Sequence, residues 1–235
     1  MWNRKELKAA GKAAFKANYW KTVVVSLILL VCFGGAAAST ASGAKGDEAD
    51  GEQLVSILTA MDPSTVQKIV FGVIGAVVGV GIISLLVRVF VLNPLEVGCK
   101  NFLVKNNESP AELGELKRSF SPAWMRNVGA LFLRDLFLVL WTCLFIIPGI
   151  VKAYSYRMVP YILADDPDIS AMEAIRKSRE MMNGHKWNTF VLDLSFIGWY
   201  ILVAITFEVV GVLWVNPYVD STNAALYRAL KSERR

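Results

Sequence analysis

The chain has 235 residues, of which 54% are hydrophobic and 19% are charged, and its mean hydropathy is +0.43. This composition is too apolar for an ordinary soluble domain, and the chain is too short for several helix bundles, so we expect one integral membrane domain over residues 1–235. The net charge of +5 does not indicate a nucleic-acid partner, because the basic residues cluster beside apolar segments, where lipid phosphates attract them.

The first 21 residues are predicted to form a basic amphipathic helix. Glu6 is the single acidic residue among six basic ones, which places the N-terminus in the cytoplasm by the positive-inside rule. An apolar stretch from Val23 to Ala38 follows and predicts the first membrane span, with a cleaved signal peptide as the alternative. The acidic segment 42–65, rich in small residues, is then interpreted as an outer loop, and residues 66–235 as the remaining bundle with its inner loops.

Three longer apolar stretches are long enough at 1.5 Å per residue to cross the hydrocarbon core of a bilayer. The segments between and after them, including 93–127, 165–188 and the C-terminal tail, are basic and are therefore predicted to be cytoplasmic. The regions from Val128 to Ala164 and from Phe190 to Leu230 must then each cross the membrane twice. We predict an all-α, polytopic bundle of six spans in three hairpins with both termini in the cytoplasm. The three stretches are Ile69–Leu92, Val128–Val151 and Phe190–Val215.

A short motif recurs along the chain and predicts helix kinks. Residues 91–95 read VLNPL, residues 214–218 read WVNPY, and a degenerate copy lies at 158–161. A proline leaves the carbonyl one turn earlier without its helical donor, and the preceding asparagine is predicted to bond such a group. Chance similarity is the alternative. The candidate kink residues are Asn93, Pro94, Pro148, Gly149, Pro160, Asn216 and Pro217.

Two predicted inner loops contain signals for short amphipathic helices. Ser109 is followed by a proline and a glutamate, and Ser170 is followed at the third position by Glu173, which are N-terminal capping patterns. The second helix is predicted to end near Gly184. We expect both helices to lie on the cytoplasmic side, against the membrane surface or against the underside of the bundle.

Charged residues within apolar spans cost roughly 2.5 to 3.5 kcal/mol each on insertion scales, so each needs a partner or a wet cavity. Three interpretations stay open for these residues: structural ion pairs or headgroup contacts, a polar path for a solute or proton, and a site for anionic lipid headgroups. The candidate buried polar cluster consists of Arg88, Arg134, Asp135, Lys152, Arg157, Asp193 and Glu208.

Signatures of an enzyme, a metal site or a cofactor site are absent from the sequence. His185 is the single histidine, the three cysteines form no CxxC pair, and no nucleophile elbow or phosphate-binding loop occurs. We therefore predict no catalytic residues, no metal and no cofactor. A lipid-processing enzyme built from carboxylates alone is kept as an alternative.

Several motifs carry a resemblance to a known family. They are LRDLF (133–137), IIPGIVKAYSYRMVPYILADDPDIS (146–170), EAIRKSREMMNGHKW (173–187) and LDLSFIGWY (192–200), with PLEVGCKNFL (94–103) and ELKAAGKAAFKANYWK (6–21). With these motifs the chain resembles an uncharacterised family of bacterial multi-pass membrane proteins, domain of unknown function 975. The Pro-Gly break, the second proline and the following serine-containing helix are more loosely similar to the membrane domain of some glycerophosphodiester phosphodiesterases. The resemblance implies a bacterial cell-membrane location and assigns no reaction.

The leading functional interpretation is a non-enzymatic scaffold or accessory component that binds membrane lipid or a membrane-protein partner through its inner surface. Anionic headgroups at the inner face are the expected lipid partners, and a homo-oligomer is compatible with the sequence. A small solute, ion or lipid transporter that uses the buried charges is the main alternative.

Overall fold

The computed structural model describes residues 2–41, 62–120, 124–206 and 208–233, which fold into helices and turns with no strand among them. The predicted all-α class is therefore confirmed for the described residues. Contacts between Cα atoms divide the chain into two compact units. One unit combines Met1–Cys32 with Val89–Arg235, and the other is Phe33–Arg88.

The smaller unit contains the end of helix α2 (Tyr19–Ala41) and helix α3 (Pro63–Val87). Helix α3 begins with a proline in its first turn, and the side chain of Asp62 accepts a hydrogen bond of 3.1 Å from the backbone N–H of Ser64. The helix thus starts within the predicted acidic loop 42–65. Residues 42–61 of that loop lie outside the described residues.

The larger unit contains nine further α-helices among its described residues, and most are short. A 3₁₀-helix at Leu113–Phe120 and a π-helical segment at Gly211–Val215 lie between helices of this unit, and a second π-helical segment, Arg88–Leu92, precedes α4 in the sequence. The helices are α1 (Arg4–Ala17), α4 (Asn93–Asn106), α5 (Trp124–Leu144), α6 (Ile146–Tyr156), α7 (Val159–Asp165), α8 (Ala171–Met181), α9 (Lys186–Leu194), α10 (Ile197–Ile205) and α11 (Asn216–Ser232).

The core of the larger unit lies where α1, α4, α7, α8 and α11 meet. Its largest fully buried side chains include Tyr161, Phe15 and Phe102. Helix α1 packs closely on α11 at Gly11, where an added Cβ would lie 2.7 Å from the Cα of Thr222. Glycine is therefore required at this crossing, since a larger side chain would push against backbone.

Asn106, at the end of α4, joins three parts of the larger unit through four hydrogen bonds. Its amide nitrogen donates to the carbonyl of Ala14 at 2.9 Å and to the hydroxyl of Thr22 at 3.3 Å. Its amide oxygen accepts from the side chain of Asn18 at 2.9 Å and from the backbone N–H of Ala111 at 3.2 Å. The buried amide is thereby fully satisfied, and it holds the 108° bend between α1 and α2.

Helix α6 packs against α5 after a break at one extended residue, Phe145. The predicted break at Pro148 and Gly149 lies instead in the first turn of α6, where a proline is tolerated because its missing N–H has no helical partner. Gly149 allows the close contact between the helices, since an added Cβ would lie 2.9 Å from the Cα of Thr142.

The two Asn-Pro motifs share one local geometry. Each follows a five-residue π-helical segment, and each begins a new α-helix, α4 at Asn93 and α11 at Asn216. A proline removes an i→i−4 donor, and the wider π-turn accommodates that loss. The degenerate copy at Pro160 lies in the first turn of α7, directly after the turn that ends α6.

Aromatic side chains, rather than the predicted asparagines, bond the carbonyls one turn before the two prolines. The indole N–H of Trp124 donates to the carbonyl of Phe90 at 3.1 Å, four residues before Pro94. The hydroxyl of Tyr19 donates to the carbonyl of Leu213 at 3.0 Å, four residues before Pro217. Both donors come from the first turn of another helix, so a neighbouring helix supplies the hydrogen bond that the proline cannot make.

The predicted helix after Ser170 is confirmed, because the Ser170 hydroxyl accepts from the backbone N–H of Glu173 at 3.3 Å and starts α8. Helix α8 ends at Met181, and Gly184 then adopts φ +79°. The segment after Ser109 is a 3₁₀-helix, and the basic N-terminal segment forms α1 from Arg4 to Ala17.

Three helical stretches among the described residues are long and apolar enough to cross a membrane. A fourth is counted if the bent pair of α1 and the first part of α2 is one span. The prediction of six spans thus exceeds the number that helix length and composition support here, because α6, α7 and α11 are too short or too polar for the same criterion. The three stretches are Pro63–Asn106, Trp124–Leu144 and Lys186–Ile205.

Candidate functional site

Buried charged side chains of the larger unit form pairs between helices, and one pocket on its surface is lined by basic side chains. The structure places four of the seven predicted cluster residues in two separate ion-paired groups. Arg134 and Asp135 belong to one group, and Arg157 and Asp193 belong to the other.

The first group is centred on Arg134 of α5, whose side chain is 10% exposed. Its two terminal nitrogens donate to the two carboxylate oxygens of Glu96 at 3.1 and 3.2 Å. Its Nε donates to Asp135 at 2.9 Å. The Arg134 guanidinium thus has a carboxylate on two edges, a geometry that compensates much of the cost of burying its charge.

The second group joins α6, α9 and α11 through Asp193. Arg157 binds the Asp193 carboxylate with both terminal nitrogens, at 2.5 and 2.9 Å, and also donates to the side-chain oxygen of Asn223 at 2.8 Å. The hydroxyl of Tyr154 donates to the same carboxylate at 3.0 Å. Two side chains, Arg157 and Tyr154, therefore bind the Asp193 carboxylate directly, and Asn223 helps to hold Arg157 in place.

The other three predicted residues are Arg88 of the smaller unit, and Lys152 and Glu208 of the larger unit. Arg88 is exposed at the start of a π-helical segment, and Glu208 is exposed in the turn after α10 with φ +67°. Lys152 lies on α6 with its amine 4.4 Å from the centre of the Trp141 ring. None of the three forms an ion pair with another residue in the part of the chain that the structure describes.

Sequence reasoning missed Glu96 and Lys100, both buried on α4. Lys100 lies 3.4 Å from Asp220 of α11 and faces the ring of Tyr161, with its amine 5.4 Å from the ring centre. The basic charge of the segment 93–127 favours a cytoplasmic loop, and the helix α4 at its start was therefore not predicted. One feature of the sequence does indicate this helix. Glu96 and Lys100 are four residues apart, which places them on the same helix face, and apolar residues such as Val97 and Phe102 lie among and after them.

The basic pocket lies between α6, α8 and α9 and has a volume of about 360 Å³. Four basic side chains and one carboxylate line it, together with two neutral polar residues. Helix α8 presents its basic side to the pocket, and α9 starts at the pocket's edge. The lining residues are Lys152, Ser155, Arg176, Arg179, Glu180, Asn183 and Lys186.

The four cations of this pocket differ in their partners. Arg176 binds Glu173 at 2.5 Å and Glu180 at 3.5 Å, so carboxylates on its own helix compensate its charge. The hydrogen bond from Arg176 lowers the pKa of Glu173. Among the described residues, no carboxylate pairs with Lys152, Arg179 or Lys186. The pocket therefore holds three cations that lack an ion-pair partner in the described structure.

No group of three or more His, Cys, Asp or Glu side chains among the described residues has the arrangement of a metal site. Two carboxylates of the acidic turn at 165–168 form ion pairs with basic residues. Asp165 binds Lys231 at 2.5 Å, and Asp168 binds Arg126 at 3.2 Å. These carboxylates connect the turn to α11 and α5.

The described structure is thus a helical protein with apolar helices of membrane-spanning length and internally paired charges. Residues 136–234 match the family described as "Protein of unknown function (DUF975)", which has no assigned activity. This match includes α6 to α11 and the last nine residues of α5. The comparison with curated proteins gave no match, and the comparison with solved structures gave none either.

Proposed function

We propose that the protein is a non-enzymatic membrane component that acts as a scaffold or accessory subunit and binds anionic lipid through its inner surface. The observation that carries this proposal is the contrast between the paired interior charges and the unpaired cations of the basic pocket. Arg134 and Arg157 each bind carboxylates within the fold, whereas Lys152, Arg179 and Lys186 lack such partners among the described residues.

The internal pairs favour a structural role over a transport path. A carboxylate that carries protons or ions must exchange partners during its cycle. Asp193 is held by a bidentate arginine and a tyrosine, and Arg134 is held by two carboxylates. Breaking the Arg134 group leaves a buried charge without its partner, and breaking the Arg157–Asp193 pair leaves a half-buried one, which opposes such exchange.

A membrane location is supported by the length and hydropathy of the three apolar stretches. The finer topology that we propose has six spans in three hairpins, both termini in the cytoplasm, in a bacterial cell membrane. Its support is the basic charge of the segments 93–127 and 165–188 and of the C-terminal tail. A membrane-protein partner at the inner surface belongs to the same proposal.

The experiment that tests the function measures lipid preference by native mass spectrometry of the detergent-purified protein. Phosphatidylglycerol and phosphatidylcholine, with matched acyl chains, are titrated separately. We expect tighter binding of phosphatidylglycerol, since cations near the headgroup region contribute about 1 kcal/mol each. Equal binding of the two lipids would contradict the proposal. Transport of ions or a small solute across the membrane of proteoliposomes would favour the transporter instead.

A further inference from the structure

The basic pocket between α6, α8 and α9 has the features of a binding site for one chemical group. We propose that this pocket binds the phosphate group of an anionic glycerophospholipid. The inference rests on the proposed function and assigns it a site and a ligand class. It concerns the seven residues that line the pocket and the apolar surface beside them.

The charge of the pocket selects an anion. Four basic side chains and one carboxylate, Glu180, leave a formal charge of +3 on the lining (4 − 1). Arg176 is compensated within α8, so the excess resides on Lys152, Arg179 and Lys186, which belong to three different segments of the chain. Like charges brought together by the fold repel one another, and a phosphate placed among them removes that repulsion.

The neutral lining and the adjoining helix end suit a phosphate as well. Ser155 and Asn183 add hydrogen-bonding groups to the pocket wall. Helix α9 starts at Lys186, and its N-cap residue His185 makes no side-chain capping hydrogen bond. The positive end of the α9 dipole therefore contributes at the edge of the pocket where Lys186 lies.

The surface beside the pocket distinguishes a lipid from a free phosphate. Val151, which precedes Lys152, is 46% exposed, and Trp187, which follows Lys186, is 71% exposed. Ile147 and Ile150 continue the exposed apolar surface along α6. A headgroup phosphate in the pocket would place its acyl chains along these side chains, and an exposed tryptophan next to cations is typical of a membrane interface.

The test measures binding of phosphatidylglycerol to the full-length protein in detergent by native mass spectrometry, with the double variant Lys152→Gln/Arg179→Gln. Each lost cation is expected to weaken phosphatidylglycerol binding about fivefold, so the double variant should lose about 25-fold. Lys177→Gln is the matched control, because Lys177 is an exposed lysine of α8 outside the pocket lining. Binding by the control variant should remain close to that of the unmodified protein.

Each alternative outcome has a distinct meaning. If the control and the double variant lose the same phosphatidylglycerol affinity per removed charge, the lipid is attracted by the basic surface in general. This result would overturn the pocket assignment and leave the proposed function intact. Displacement of phosphatidylglycerol by equimolar inorganic phosphate would show a free-phosphate site and overturn the lipid assignment. Absence of any lipid preference in the unmodified protein would overturn the proposed function itself. If the double variant does not fold, Lys186→Gln tests the same pocket from α9.

Discussion

The hydroxyl of Tyr19 donates a 3.0 Å hydrogen bond to the backbone carbonyl of Leu213, 194 residues further along the chain. Pro217 lies four residues after that carbonyl and has no N–H to donate to it. The bond therefore connects α2 to the π-helical segment before α11 at the point where regular helical bonding is interrupted. Trp124 makes the equivalent contact to Phe90, ahead of Pro94.

Tyr19→Phe should destabilise the protein by about 0.5 to 1.5 kcal/mol, because the Leu213 carbonyl loses its donor. The variant Pro217→Ala supplies a backbone N–H, so Tyr19→Phe should cost less in that background. Thermal unfolding in detergent measures both effects. Trp20→Phe is the control, since Trp20 is 72% exposed. If Tyr19→Phe destabilises the protein equally with and without Pro217→Ala, the hydrogen bond from Tyr19 does not replace the N–H that the proline lacks.

Removing one partner of the Glu96–Arg134 pair should strongly destabilise the protein. Arg134→Met leaves Glu96 buried without its bidentate donor, which we expect to cost about 3 to 5 kcal/mol. The double variant Glu96→Met/Arg134→Met should recover much of that loss, because both charges are gone. Arg126→Met is the surface control, since its partner Asp168 is 97% exposed. A double variant as unstable as Arg134→Met alone would argue against this pairing.

Asp193→Asn distinguishes a structural carboxylate from a transporting one. The change removes the charge that Arg157 and Tyr154 bind, so the melting temperature should fall, with a loss of about 1.5 to 3 kcal/mol because the pair is only half-buried. Proteoliposome flux should be indistinguishable from that of empty vesicles for both the variant and the unmodified protein. Proton or ion flux that Asp193→Asn abolishes without lowering the melting temperature would support the transporter.

Gly11→Ala should destabilise the contact between α1 and α11. The added methyl would lie 2.7 Å from the backbone N and Cα of Thr222, and overpacking of this kind costs about 1 to 3 kcal/mol. Gly129→Ala is the matched control within α5, where the added methyl has no described atom within 4 Å apart from its chain neighbours and its own helix backbone. That control should be neutral or stabilising by about 0.5 to 1 kcal/mol, since alanine favours a helix interior. Chemical denaturation in mild detergent compares the two.

Cysteine labelling in intact cells tests the proposed topology. Single cysteines at Ser109 and Ser170, introduced after replacing the three native cysteines, should both react only after the membrane is made permeable. Both positions are exposed, so access within the fold does not limit the reaction. Labelling of the two positions from opposite sides would rule out the arrangement in three hairpins.

The sequence by itself determined the helical class, the apolar stretches and the capped helix after Ser170. These features depend on local properties, namely hydropathy over a span and the hydrogen bonds of one helix end. The paired motifs at Pro94 and Pro217 were also visible, because a proline interrupts a helix wherever it occurs.

The tertiary structure decided which side chains donate hydrogen bonds to the carbonyls freed by the prolines, and which charged residues form ion pairs. Glu96 reaches Arg134 across 38 residues, and Tyr19 reaches Leu213 across 194. Partners so far apart in sequence are fixed by helix packing, and many carboxylates or donors would fit the local pattern equally well. The basic pocket has the same origin, since Lys152 and Arg179 come from different helices that only the fold brings together.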